Sequence, residues 1–293
     1  MNILLSKGTN SYKLLDSGGG YKLEKFGCNI IVRSDTNCIW ARSLPEDIWQ
    51  TADAKYNSSN KSGKKWDVKK TFKEDWIFKY KDLSFLLRLS QSKNIGIFPE
   101  QMENWRWMID IIKKIITQTG AVPNVLNLFA YTGGATLCAA WAGAKVCHVD
   151  ASKAAISWAK KNQEFSGLQN ASIRWIVDDC YSFVCREIKR KVQYDAIIMD
   201  PPAFGRDQKG RIFEFERKIY NLLSICKVLV PTPLFFIFNG YSMGYSSVVL
   251  KNLLYDFYPS FQIEHGELNI LQENSVRLLP CSLFARIKAL KDT

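Results

Sequence analysis

Between residues 125 and 240 short apolar runs alternate with helix-spaced ones, and most of the apolar runs stop at an aspartate or a glycine. "VLNLFA" (125–130), "KVCHVD" (145–150), "ASIRWIVDD" (171–179), "YDAIIMD" (194–200) and "PLFFIFNG" (233–240) have the length and composition of strands. Between them, "GGATLCAAWAGA" (133–144), "ASKAAISWAKKNQEFSG" (151–167), "SFVCREIKRK" (182–191) and "FEFERKIYNLLSICKVL" (213–229) read as helices. Strands separated by helices are laid side by side in parallel, with the helices packed on both faces of the sheet. The fold class is therefore α/β. "FQIEHGELNI" (261–270) and "SVRLLPCSLFARIKA" (276–289) are joined by a turn alone, which predicts an antiparallel hairpin ending a mostly parallel sheet.

Upstream the texture differs. "PEQMENWRWMIDIIKKIITQ" (99–118) places Met102, Trp105, Met108, Ile109, Ile112 and Ile116 on one helical face, after a proline suited to a first turn. The first ~95 residues read as short strands: a hairpin over 12–27 turning at Gly18, Gly19 and Gly20, then strands over 28–34 and within 77–90. Residues 53–65 read as a loop. The expected organisation is a β-rich domain over 1–95 followed by an α/β domain over 96–293.

The chain has 293 residues, 47% of them apolar and 13% aromatic, enough for a substantial core. No apolar run reaches the roughly 18 residues of a membrane span, and the N-terminal apolar stretch is too short for a signal peptide. Eight scattered cysteines without a C-x-x-C and only two histidines argue against a disulfide framework or a zinc site. A cytoplasmic protein without metal is the expectation. Of the net charge of +12, residues 1–95 contribute +7, with 17 basic against 10 acidic side chains. The densest part, "NKSGKKWDVKKTFK" (60–73), interleaves lysine with aromatics, as surfaces that meet nucleic acid do. A solvated lysine-rich loop would look the same.

In an open parallel sheet ligands bind beyond the C-terminal strand ends. The successive tips here carry "FAYTGG" (129–134), Asp150, Asp179 and "DPPAF" (200–204). Glycines entering a helix expose backbone N–H groups, a carboxylate ending the second strand can accept from both ribose hydroxyls, and Asp179 can accept an adenine amine. Neither G-x-G-x-x-G nor a Walker loop is present, so no phosphate clamp is expected. Ribose and adenine without pyrophosphate point to S-adenosylmethionine. A strand-end aspartate can equally be a helix cap.

These motifs resemble class I S-adenosylmethionine-dependent methyltransferases. Within them the chain is most similar to bacterial large-subunit rRNA base methyltransferases of the cytosine-C5 type, in a branch without a PUA domain. The resemblance covers almost the whole chain and implies a Rossmann-like sheet preceded by a small β-rich domain. It further implies that Phe129, Tyr131, Gly133 and Gly134 wrap the methionine end of the cofactor, that Asp150 holds the ribose and Asp179 the adenine, and that Gln101 of "FPEQ" closes over it.

Asp200, Pro201, Pro202 and Phe204 form the expected acceptor site. Two prolines end a strand abruptly, Asp200 and the turn carbonyls can accept from a base's amino or ring N–H, and Phe204 can stack on its face. Arg206 and Lys209 are placed to meet phosphates. The family's C5 chemistry needs a cysteine thiolate after the fifth strand, where this chain reads "FNGYSMGYSS" (238–247). Methylation of a ring or exocyclic nitrogen is therefore at least as consistent as C5 methylation. The acceptor is expected to be RNA; a protein or small-molecule acceptor, or a cofactor-binding protein without turnover, is the alternative.

Overall fold

The computed structural model describes residues 1–289 except 58–64, 70, 71, 73, 207–209, 211, 242 and 243. Chain contacts divide it into two compact units: Met1–Leu4, Gln101–Leu268 and Ser282–Thr293 form one, and Leu5–Glu100 with Asn269–Cys281 form the other.

The strands and helices run in chain order as follows. β1 (Asn2–Ser6), β2 (Tyr12–Gly18), β3 (Tyr21–Phe26), β4 (Asn29–Ser34), α1 (Glu46–Gln50), β5 (Ala54–Tyr56), β6 (Trp66–Val68), β7 (Trp76–Tyr80) and β8 (Leu83–Leu87) come first. A 3-10 turn at Pro99–Gln101 leads into α2 (Met102–Thr119), then β9 (Asn124–Leu128), α3 (Gly134–Trp141), β10 (Lys145–Asp150), α4 (Lys153–Phe165), β11 (Ile173–Val177) and α5 (Cys180–Lys189). β12 (Ala196–Met199), the short β13 (Phe204–Arg206) and β14 (Ile212–Glu214), α6 (Phe215–Leu229), β15 (Phe235–Gly240), α7 (Ser247–Phe257), β16 (Ile263–Leu271) and β17 (Leu278–Lys288) complete it.

In the β-rich unit, β2 to β6 form a sheet in sequential order, and β7 and β8 pair as a hairpin. The β2–β3 turn needs φ of 59° at Gly19 and 81° at Gly20, which is why glycine stands there. A buried ion pair lies inside: Arg33 Nε and Nη2 donate to the two Glu24 oxygens at 2.7 and 2.8 Å, and Tyr12 Oη donates to Glu24 at 3.0 Å. Burial is the largest single effect on the Glu24 carboxyl and would raise its pKa. The Arg33 and Lys22 charges and the hydrogen bonds from Arg33 and Tyr12 together outweigh it and hold the carboxyl below its ordinary value. The loop expected over 53–65 fails at Ala54–Tyr56, which forms β5 between β4 and β6. Ala54 is buried there and the Tyr56 ring sits edge-on to Trp66 at 5.2 Å, so packing overrides a polar local sequence.

The other unit is the α/β one. Its sheet runs β1-β16-β17-β15-β12-β9-β10-β11. β9 pairs in parallel with β10 and β12, β10 with β11, and β12 with β15, while β17 lies antiparallel to β15. The expected mostly parallel sheet with an antiparallel ending is what forms. From β9 the chain moves outward through β10 and β11, then returns to the other side of β9 as β12. The order thus reverses between β9 and β12, and the crevice beyond their C-terminal ends is where such sheets bind ligands.

Helices cover the sheet as their apolar faces demand. α2 buries Met102, Trp105, Met108, Ile109 and Ile112. α5, α6 and α7 bury Phe183, Val184, Phe215, Ile219, Leu222, Leu223, Leu250 and Leu254 into one cluster with Leu126, Ile197 and Phe236 of the strands. α7 and β1 have no counterpart in the pattern reading; α7 is started by Ser246, whose hydroxyl accepts from Val248 N–H.

Candidate active site

The site is built from the tips of β9, β10, β11, β12 and β15. The β9–α3 connection, Phe129 to Gly133, is wound tightly. Phe129 has φ of 56°, Tyr131 of 50° and Gly133 of 87°. Two aromatic residues in the left-handed region are costly, and such backbone strain concentrates where a ligand is held. The surroundings fix it. Phe129 N–H donates to Cys180 Sγ at 3.4 Å, Ala130 N–H to the Val149 carbonyl at 3.1 Å, and Tyr131 N–H to Asp150 Oδ2 at 2.8 Å.

Asp150, at the end of β10, holds its own turn as well, since Oδ1 accepts from Ser152 N–H at 2.8 Å. Burial pushes its carboxyl above the ordinary value, partly offset by the Ser152 and Tyr131 N–H donors. Each carboxylate oxygen offers two acceptor directions, so the carboxylate can still take ribose hydroxyls.

Gly133 and Gly134 are explained by packing before any ligand is considered. A Cβ on Gly133 would lie 3.1 Å from Ala159 Cβ of α4, and one on Gly134 would lie 2.7 Å from Trp105 Cζ2 of α2. Under the loop a buried polar chain joins β9, α3 and β10. Asn127 Nδ2 donates to Thr136 Oγ1 at 2.9 Å, and Thr136 Oγ1 lies 2.9 Å from His148 Nδ1. The threonine hydroxyl, which can accept twice and donate once, accepts from Asn127 and links that amide to the imidazole. Burial holds this ring neutral, with a pKa lowered to about 3.

Asp179 caps α5: its Oδ1 accepts from Ser182 N–H at 2.9 Å. Its neighbour Asp178 pairs with Arg186. Three carboxylates thus stand at the tips of β10 and β11. That set of acceptors suits hydroxyls and amines and opposes a pyrophosphate, which fits an adenosine-bearing cofactor without phosphates.

Beyond β12 the Asp-Pro-Pro turn is in place. Asp200 is half-buried and its N–H donates to the Leu128 carbonyl at 3.3 Å, tying this tip to β9. Pro201 is buried, and Phe204 is 60% exposed at the start of the β13–β14 hairpin, so it is no core phenylalanine. One turn carbonyl is taken by the protein, since Ala203 accepts from Phe215 N–H at 3.1 Å. The Phe129 ring lies 4.9 Å from Phe213 of β14, joining the strained loop to the hairpin. Lys209 and the side chain of Arg206 lie outside the described residues.

Gln101 lies at the start of α2 among residues that the pattern reading passes over. It is buried, donates to Tyr241 Oη at 2.7 Å and accepts from Asn104 Nδ2 at 3.0 Å. Asn104 and Asn239 are polar residues at positions whose neighbours are apolar, on a helix face and in a fully buried strand. That mismatch is the signal by which they can be found. Thiols are engaged differently. Burial pushes Cys180 and Cys226 far up and Cys147 up to about 11, which keeps them protonated. Cys281, in the β-rich unit, donates to the Leu279 carbonyl at 3.4 Å, and burial raises its pKa as well. Among the described residues no cluster of His, Cys, Asp and Glu has the makings of a metal site, and no helix is long and apolar enough to cross a membrane.

Comparison with known proteins gives the family. A family profile described as S-adenosylmethionine-dependent methyltransferase matches residues 33–249. A SAM-dependent methyltransferase from Agrobacterium tumefaciens of known crystal structure is 36% identical, with a TM-score of 0.92, over 99% of this chain and 94% of that one. A Shewanella baltica protein named ribosomal RNA large subunit methyltransferase K/L is 39% identical over 153 residues, 50% of this chain and 20% of that protein. The match thus spans about a fifth of the length of such curated relatives. SMU.776, described as a methyltransferase in complex with SAH, shares the fold at 17% identity and a TM-score of 0.73, over 94% of this chain and 75% of that one.

Proposed function

Because the chain belongs to the S-adenosylmethionine-dependent methyltransferases, we propose that it methylates a nitrogen of a base in ribosomal RNA. The carrying observation is the Asp-Pro-Pro turn at the sheet's switch point, with Phe204 60% exposed beside it and no cysteine in the segment after β15.

When bound, the cofactor supplies a sulfonium methyl group that is lost by in-line displacement, a reaction that needs placement above all. The chain's residues supply that placement. The loop Phe129–Gly134, clamped by Asp150, holds the methionine end, while Asp150 and Asp179 accept from the ribose and adenine. Asp200 accepts an N–H of the acceptor base, Pro201 and Pro202 keep the backbone from yielding, and Phe204 stacks on the base once it has left its own stack. Attack by a nitrogen lone pair needs no enzyme nucleophile. Cytosine C5 attack would need a thiolate, and the Cys147, Cys180, Cys226 and Cys281 thiols all have raised pKa values.

The RNA acceptor is supported by relatives named for ribosomal RNA and by the basic β-rich unit, whose lysines are proposed to meet phosphates. Mass spectrometry of nucleosides from the ribosomal RNA of cells with and without the gene tests it. One N-methylated nucleoside should vanish on deletion. An unchanged rRNA spectrum would move the acceptor to a protein or small molecule.

A further inference from the structure

The parallel sheet ends at β11, and the register there decides which backbone groups face outward. Val146 N–H donates to the Ser172 carbonyl at 2.9 Å and Asp178 N–H to the Asp150 carbonyl at 3.0 Å, while Val146 to Asp150 pair in parallel with Ile173 to Val177. In a parallel ladder every second residue turns both its N–H and its C=O to the same neighbour. Ser172, Arg174, Ile176 and Asp178 therefore face β10, and Ile173, Trp175 and Val177 turn their backbone groups away from the sheet. The Ile173 N–H is taken locally, by the Ala171 carbonyl at 2.9 Å. Among the described residues no strand lies beyond β11, so the Ile173 carbonyl and both backbone groups of Trp175 and Val177 form an open edge.

The side chains do nothing to close that edge. Proteins protect such strands with proline, lysine or a bulge, or bury them under other elements. "IRWIV" holds neither proline nor lysine, its register with β10 is unbroken, and none of its residues is fully buried, where β12 is buried throughout. Ile173, Trp175 and Val177 share one face by strand alternation. On it the Trp175 ring meets His148 at 4.6 Å between centroids, and Val177 is 47% exposed. The opposite face carries Arg174 and Ile176. Arg174 donates to Glu187 at 2.7 Å, yet its side chain is 45% exposed. Asp178, paired with Arg186, ends that row.

We propose that β11 is a dimer edge: β11 of a second copy of this chain pairs with it antiparallel about a two-fold axis at Trp175, continuing the sheet across both chains. A two-fold contact requires a surface that complements itself, and this strand does. In that register the two Trp175 residues exchange N–H and carbonyl, and each Val177 N–H meets the Ile173 carbonyl of the other copy. Only the Val177 carbonyl is left over, opposite the one N–H already taken. Ile173 lies across from Val177 and Trp175 from itself, so apolar side chains meet apolar ones. On the other face Arg174 lies diagonally across from Asp178 of the second copy, opposite charges within reach of a long side chain. An arbitrary extended peptide could supply the backbone bonds but not this match of charge. The inference is independent of what the enzyme methylates.

Sedimentation velocity of the full chain across about 1–100 μM tests it. The wild type should be dimeric within that range. Because the Val177 N–H serves no bond in the sheet, Val177→Pro removes an edge donor and sets a ring against the second copy, while the ladder to β10 keeps its bonds. Val177→Lys puts a charge on the exposed apolar stripe. Each variant should raise the dissociation constant about tenfold or more, since a two-fold contact loses the interaction twice. Amide exchange at Trp175 and Val177 should slow as wild-type concentration rises, and should not in the variants. A wild type that stays monomeric throughout overturns the inference. So does a dimer whose constant the variants leave unchanged, or whose β11 amides exchange no more slowly than the monomer's, since the contact then lies on another surface. If Val177→Pro fails to fold, Val177→Lys and the exchange measurement decide.

Discussion

Asp150 Oδ2 lies 2.8 Å from Tyr131 N, so the carboxylate that ends the second parallel strand also clamps the strained turn leaving the first. One side chain thus serves the loop's geometry and, in the proposed site, the ribose. Asp150→Ala removes charge-assisted hydrogen bonds worth about 1.5–3 kcal/mol each. Affinity for S-adenosylmethionine, read by calorimetry, should fall at least about tenfold in a protein that still melts cooperatively. Wild-type affinity in this variant would refute the assignment.

Gly134 tests whether its lack of a side chain answers to ligand or to packing. An added Cβ would meet Trp105 at 2.7 Å. Gly134→Ala should lower stability by about 1–3 kcal/mol, the range for an overpacked core. In a Trp105→Leu background most of that cost should disappear, because the clashing ring is gone. Denaturant midpoints of the four proteins decide it; an equal cost in both backgrounds would point to the loop backbone instead.

His148 makes a prediction with a sign. Its folded pKa is lowered from the ordinary 6.5 to about 3, chiefly by burial. Between those values the unfolded chain binds a proton that the folded chain does not, so stability is lost as pH falls below 6.5. The loss should approach about 1.4 kcal/mol per pH unit. His148→Gln should flatten that part of the stability curve relative to wild type, measured by urea unfolding across the range. Parallel curves would mean that His148 does not carry the acid sensitivity.

The frame of this site is readable without coordinates because strand–helix alternation leaves few topologies, and each tip carries a residue that an apolar strand has no use for: Asp150, Asp179, Asp200. What pattern reading cannot reach is what depends on distant partners. The glycine at 134 is set by a tryptophan 29 positions earlier in the chain, and Asp179 is committed to α5 through Ser182. The Tyr241 hydroxyl meets Gln101, 140 positions away in the chain, and Asn104 of the same helical turn meets Arg286, 182 positions away. β5 forms because Tyr56 finds Trp66, which no local propensity announces.

The basic segment of the β-rich unit yields a salt-dependence test. Lys69 Nζ donates to the Gln50 carbonyl at 2.7 Å, so one of its ammonium groups serves the fold; Lys64 and Lys70 lie outside the described residues. If the segment meets phosphate, neutralising Lys64, Lys65, Lys69 and Lys70 together to Gln should weaken RNA binding and reduce the slope of log K against log salt. Cofactor affinity should hold. An identical slope would return these lysines to the solvent.

The Asp-Pro-Pro turn should separate binding from chemistry. Asp200 and Phe204 belong, in the proposed site, to the acceptor and not to the cofactor. Asp200→Ala should therefore keep most cofactor affinity while transfer falls by roughly a hundredfold or more, as a displacement of about 1 Å in a reacting group can cause. Phe204→Ala exposes no cavity, since its ring is already 60% exposed, so stability should hold. What it removes is a base stack of about 1–3 kcal/mol, visible mainly as a raised KM for RNA. The same assay discriminates nitrogen from C5 attack, because only C5 attack needs an enzyme thiol. With each of the eight cysteines changed to serine in turn, every variant that folds and binds cofactor should retain transfer. A single folded, cofactor-binding and inactive cysteine variant would restore the covalent mechanism and remove nitrogen as the target.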